Sequence, residues 1–211
     1  MRNILLFGDS NTWGAKPLQE LNKIERYKFY ERYGGVLQEK IGNEFHIIEE
    51  GNPGRTTVWE DPIEGYKNGK EYLIPCLDSH QPIELVIILL GTNDLKCRFS
   101  LSAFDIAQGA GVLVGMVQAW KPIVGSSPKI LLVSPPLIRE PAEFLKDMFF
   151  GGVKKSEQFS FEFKKVADAY SCEFLNGAEI IKTSQVDGIH LELSEHQKLG
   201  KALARRIEDI F

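Results

Sequence analysis

The chain has 211 residues, which suits one domain on the usual range of about 100 to 200 residues each. Hydrophobic residues make up 43% and charged residues 26%, enough to build a core and too apolar for a disordered chain. With a net charge of −4 and no run of five like charges, the basic footprint of a nucleic-acid binder is missing, and small or neutral partners are expected.

The first apolar run, residues 4–7, stops at Gly8, too soon for an export segment. It reads instead as a strand over 3–7. After an irregular segment (15–32), the pattern gives a helix over 33–41, a strand over 45–49 and a helix over 65–79. The next strand, 85–90, is the longest apolar stretch and far short of the roughly 18 residues that cross a membrane. A helix follows over 101–120, weakened by Gly109-Ala110-Gly111. A strand over 129–133 leads into a second irregular segment (134–152), then a helix over 156–171, a weak strand over 173–175 and a final helix over 194–210 with Ser194 as its cap. The strands are nearly continuous apolar runs rather than alternating ones, as strands covered on both faces should be. Strand and helix alternate, so the fold class is α/β: a parallel sheet between helix layers, in one domain spanning 1–211.

Cys76, Cys97 and Cys172 are odd in number, widely spaced and without a Cys-x-x-Cys pair. This argues against a disulfide framework and a zinc site, and for a reducing cytoplasm. Ligands of open parallel sheets bind beyond the C-terminal strand ends, so the two irregular segments are expected to wall or cover a pocket, with Phe29, Tyr30, Phe144, Phe149 and Phe150 as candidate lining or core residues.

The candidate chemistry also falls at strand ends. Ser10 follows Gly8-Asp9 and either caps the next segment or acts as a nucleophile; position alone favours the cap. A nucleophilic serine needs a base. Of four histidines, His46 and His80 read as structural and His196 as a surface residue, which leaves His190. Asp187 lies three residues earlier across Gly188 and can accept the ring N–H, or it can satisfy a turn. Acyl transfer also needs donors for an oxyanion. Gly54, in the loop 50–57, offers a backbone N–H, and Asn93, in Gly91-Thr92-Asn93-Asp94, offers an amide; each alone is an ordinary turn signal.

In this order, Gly8-Asp9-Ser10, Gly54, Gly91-Thr92-Asn93-Asp94 and Asp187-x-x-His190 resemble the four blocks of the SGNH or GDSL hydrolase superfamily. The resemblance runs from residue 8 to residue 190. It implies a flavodoxin-like sheet of five strands in the order 2-1-3-4-5. It also implies Ser10 as nucleophile, His190 as general base, Asp187 as its orienter, and the Ser10 N–H, Gly54 N–H and Asn93 amide as the oxyanion hole. Leucine is usual where this chain has Asn11. Ser10-Asn11-Thr12-Trp13-Gly14 and Gly51-x-x-Gly54-Arg55-Thr56-Thr57 look like the arylesterase and acyltransferase branch, whose members often form closed oligomers. Asp9, Trp13 and Arg55 are candidate substrate contacts, with packing as the alternative for Trp13 and solvation for Arg55. No metal or cofactor is called for.

The expected activity is hydrolysis of short-chain or aryl esters through an acyl-enzyme, with acyl transfer where an alcohol replaces water. Removal of acetyl groups from carbohydrate is the alternative with the same site. A nucleotide or flavin binder is disfavoured by the lack of G-x-G-x-x-G and G-x-x-x-x-G-K-[ST] spacing, and a silent scaffold is disfavoured by the full set of candidate residues.

Overall fold

A strand with apolar side chains on both faces is stable only when both faces are covered. The computed structural model describes residues 2–211. Along the chain its elements are β1 (Arg2–Gly8), α1 (Ser10–Trp13), α2 (Tyr33–Ile41), β2 (Phe45–Gly51), α3 (Gly69–His80), β3 (Leu85–Leu89), α4 (Ala103–Ala119), β4 (Lys129–Ser134), α5 (Glu143–Lys146), α6 (Gly152–Ser156), α7 (Phe159–Ala169), β5 (Glu173–Asn176), α8 (Gly177–Ile180) and α9 (Leu193–Ile210). The strands form one parallel sheet in the order β2-β1-β3-β4-β5, as the resemblance implies.

Alternate residues of each central strand feed two different cores. Leu5 and Phe7 of β1, Val86 and Ile88 of β3 and Leu132 of β4 pack under α3, α4 and α7. Ile4, Leu6, Ile87, Leu131 and Val133 pack on the other face under α2 and α9. This two-sided burial is the reason the strands read as unbroken apolar runs. Among the described residues, no helix is long and apolar enough to cross a membrane.

Several expectations shift. The helix expected from residue 65 begins at Gly69, because the Asn68 side chain caps it by accepting from the Lys70 N–H at 3.0 Å. Ser194 is not a cap: α9 starts at Leu193, with Glu192 in the cap position. His196 is fully buried rather than on the surface, stacked on Tyr33 with ring centroids 6.1 Å apart. The Gly109 region is intact helix; a β-carbon there would collide with Thr57 Oγ1, so the glycine lets α4 lie close to the loop after β2.

The chain leaves β1 for β2 on one side and returns to β3 on the other. That reversal opens a crevice beyond the C-terminal ends of β1 and its neighbours.

Candidate active site

At the end of β1, Asp9 caps α1: its carboxylate accepts from the Asn11 N–H at 2.9 Å. Ser10 is therefore the first residue of a four-residue helix. Its N–H has no carbonyl one turn back within the helix to bond.

The other half of the site arrives from the far end of the chain. In the loop before α9, the Asp187 carboxylate accepts from the backbone N–H groups of Ile189 and His190, both at 2.9 Å. This local turn folds the carboxylate back beneath the imidazole. Gly188 makes the turn possible: its φ is +80°, and a β-carbon would stand 2.7 Å from the Glu140 carbonyl oxygen. Asp187 Oδ2 lies 2.6 Å from His190 Nδ1 and also accepts from the Leu18 N–H at 2.7 Å. His190 Nε2 then reaches Ser10 Oγ at 3.0 Å. Burial alone would raise the Asp187 carboxyl, but the hydrogen bonds from His190 and from backbone N–H groups outweigh it and hold the pKa below the ordinary carboxylate value.

Asn11 fastens these halves together. Its Oδ1 accepts from the Leu191 N–H at 3.0 Å and its Nδ2 donates to the Ile189 carbonyl at 3.4 Å, so one side chain of α1 grips both neighbours of His190. A leucine at this position could do neither.

Two more strand ends bring donors. After β2, the Arg55 N–H bonds the Asn52 carbonyl at 3.0 Å, with Pro53 and Gly54 between them and Gly54 at φ +86°. Proline then glycine in the central positions is the pattern of a type II turn, which leaves the Gly54 N–H outside the turn's own hydrogen bond. After β3, Asn93 donates one amide hydrogen to the Arg55 carbonyl at 3.1 Å and keeps the second. The next residue, Asp94, is fully buried and accepts from the Thr57 N–H at 3.0 Å and the Thr57 hydroxyl at 2.5 Å. The loops after β2 and β3 are thus joined by two side chains. Burial pushes the carboxyls of Asp9 and Asp94 up to about 6, against the hydrogen bonds that favour their ionised forms.

Ser10, Gly54, Asn93 and His190 share a cavity of about 420 Å³. Leu18, Leu21 and Ile24 from the first irregular segment and Leu145, Met148 and Phe149 from the second form much of its wall. Both segments therefore reach the site, but largely through aliphatic residues. Of the five aromatics considered, Phe149 lines this cavity; Phe29 and Tyr30 border a separate hollow beside α2 and β2, Phe144 packs on the core and Phe150 is exposed.

Asp9, Trp13 and Arg55 do not line the serine cavity. Asp9 is held beneath α1 as its cap. Arg55 is buried, not solvated: its guanidinium donates to the Gly8 and Glu50 carbonyl oxygens and lies 4.3 Å from the Phe7 ring centroid. Trp13 and Arg55 instead border a second cleft, of about 670 Å³, with Glu50, Asn52, Tyr66 and Tyr72. Sequence reasoning found no role for the Asn11 grip or the Asp94–Thr57 link; the one available signal was the departure from leucine at position 11.

A family model described as the GDSL-like lipase/acylhydrolase family matches residues 6–195. Among solved structures, an aryl esterase of M. smegmatis is 39% identical over 100% of both chains, with a TM-score of 0.96. A carbohydrate acetylesterase from Sinorhizobium meliloti is 40% identical over 100% of both chains, with a TM-score of 0.94. A lipase/acylhydrolase from Enterococcus faecalis, 18% identical over 99% of this chain and 96% of that one with a TM-score of 0.69, shares the fold. No curated protein matched the sequence.

Proposed function

Because the chain belongs to the GDSL-like lipase/acylhydrolase family and is a serine ester hydrolase, we propose that Ser10 is its nucleophile, His190 its general base and Asp187 the carboxylate that orients the imidazole. The observation that carries the assignment is the unbroken relay from Asp187 through His190 to Ser10 Oγ, 2.6 and 3.0 Å long, opening on an apolar cavity. His190 takes the serine proton as Oγ attacks the ester carbonyl. The carbonyl oxygen becomes an oxyanion, held by the N–H groups of Ser10 and Gly54 and by Asn93 Nδ2. The tetrahedral intermediate collapses, the alcohol leaves with the proton from His190, and water repeats the cycle on the acyl-enzyme. Asp187, kept ionised by its hydrogen bonds, stabilises the imidazolium formed in each half.

The preferred substrates are short-chain or aryl carboxylic esters, since the cavity is small and mostly aliphatic. The same walls favour an alcohol over water at the acyl-enzyme, which supports acyl transfer as a second outcome. Carbohydrate O-acetyl groups are the alternative substrate, supported by the likeness to the carbohydrate acetylesterase. In this reading residues 1–211 are one SGNH hydrolase domain. Exposed Leu21, Ile24 and Ile63 rim the cavity and favour a closed homo-oligomer that covers them. Three unpaired cysteines suit a reducing cytoplasm.

The test is hydrolysis of p-nitrophenyl esters from acetate to octanoate, beside acetylated sugars, by wild type and Ser10→Ala. Turnover lost in Ser10→Ala, with an optimum among short acyl chains, is the expected result. Equal turnover by a folded Ser10→Ala protein would remove the nucleophile assignment, and preference for the sugars would select the alternative substrate.

A further inference from the structure

Among the described residues, one group of three metal-capable side chains lies together, away from the serine cavity: Glu50, Cys76 and His80, with their ligand atoms all within 4.8 Å of one another. The absence of a Cys-x-x-Cys pair speaks against a zinc knuckle, yet Cys76 and His80 are four residues apart on α3 and so share one helix face. That face meets the C-terminal end of β2, where Glu50 stands with His80 Nε2 2.7 Å from its Oε1. We propose that Glu50, Cys76 and His80 form a binding site for Zn²⁺, with water as the fourth ligand.

The donor set selects the metal. One thiolate, one imidazole and one carboxylate suit Zn²⁺ rather than Mg²⁺ or Ca²⁺, which take oxygen ligands. Three protein ligands and an open fourth position make a tetrahedral site. The open position has a route to solvent, since Glu50 also borders the second cleft. Glu60 and Glu71 line the same cleft, and their charges raise the local concentration of cations. Arg55 is the cation that competes. Its guanidinium is committed to the Gly8 and Glu50 backbone carbonyls and to the Phe7 and Tyr72 rings, so the Glu50 carboxylate faces His80 and the Tyr72 hydroxyl instead.

The metal ligand is the thiolate, whereas an ordinary cysteine thiol is mostly protonated at neutral pH. Binding breaks the S–H bond, forms the Zn–S bond and releases that proton to solvent. The Nε2 proton that His80 donates to Glu50 is given up to solvent while Nδ1 takes one from solvent, which frees the Nε2 lone pair for the metal with no net change in the ring's charge.

Titration of the full chain with Co²⁺, a coloured stand-in for Zn²⁺, tests the site independently of the esterase assignment. The expected result is a thiolate-to-cobalt charge-transfer band that saturates at one Co²⁺ per chain and is bleached by Zn²⁺. The band is lost in Cys76→Ser, weakened in His80→Gln, a milder change at the partly exposed end of α3, and retained in Cys97→Ser, which removes an exposed thiol. No band in the wild type, or a band that survives Cys76→Ser, overturns the proposal.

Discussion

At the scale of single residues, two asparagines do different work in the same site. Asn93 spends one amide hydrogen on the Arg55 carbonyl, and the second is the donor proposed for the oxyanion in the cavity it shares with Ser10. Asn93→Ala is expected to lower kcat by about 10² to 10³, the usual cost of one oxyanion donor, with little change in KM. Steady-state kinetics beside a thermal melt separates this from unfolding, and full activity in a folded variant would show that the oxyanion is held elsewhere. Asn11 does not line the cavity but grips the backbone on both sides of His190. Asn11→Leu removes the grip and leaves the Leu191 N–H buried without an acceptor. The loss of about one hydrogen bond's worth of positioning corresponds to a fall in kcat on the order of tenfold, again with KM unchanged. Unaltered kcat would mean that Asp187 and its backbone hydrogen bonds hold the loop unaided.

Between elements, the close approach of α4 to the loop after β2 fixes the donors. Gly109 admits Thr57 Oγ1 against the helix, and Thr57 in turn holds Asp94, the neighbour of Asn93. Gly109→Ala sets two effects against each other. Helix propensity alone would stabilise the variant by about 0.5–1 kcal/mol. Overpacking against Thr57 costs about 1–3 kcal/mol and wins, so a lower denaturation midpoint and reduced turnover are expected together. A midpoint above wild type would show that the loop yields without strain. The same elements show what a sequence can and cannot reveal. The strands were legible because both faces of β1, β3 and β4 are buried, and the strand-end motifs because each pins a reactive group to a fixed strand terminus. Gly109 read as a weakness, since its value lies in a contact 52 residues away, with Thr57. Ser194 read as a cap because its type suits one, yet α9 begins one residue before it. That Trp13 and Arg55 border the second cleft rather than the serine cavity was hidden for a similar reason: which side of the Gly54 turn a side chain faces depends on how loops from three strand ends pack.

For the whole molecule, His196 links acidity to stability. Burial depresses its pKa to about 3, its Nε2 has no hydrogen-bond partner among the described residues, and its Nδ1 accepts from the Tyr33 N–H at 3.3 Å. The unfolded imidazole takes a proton near 6.5 while the folded one stays neutral, so protons favour the unfolded chain as pH falls from about 6.5 towards 3. His196→Phe keeps the ring against Tyr33 and removes the titration. Between pH 7 and pH 5 the wild type should lose about 2 kcal/mol relative to this variant, measured by denaturant titration. Parallel pH profiles would show that His196 charges in the folded state. Asp9 and Asp94, raised to about 6, act in the opposite sense: ionisation costs folded-state stability, so each contributes a gain as pH falls through that value. One hydrogen bond, between Ser10 and His190, joins residues 180 apart. During synthesis the hydroxyl follows the first strand of the sheet and the imidazole follows the last. A chain that stops before His190 holds the serine without its proposed base, so the site can form only once the last strand is in place and the loop before α9 has docked.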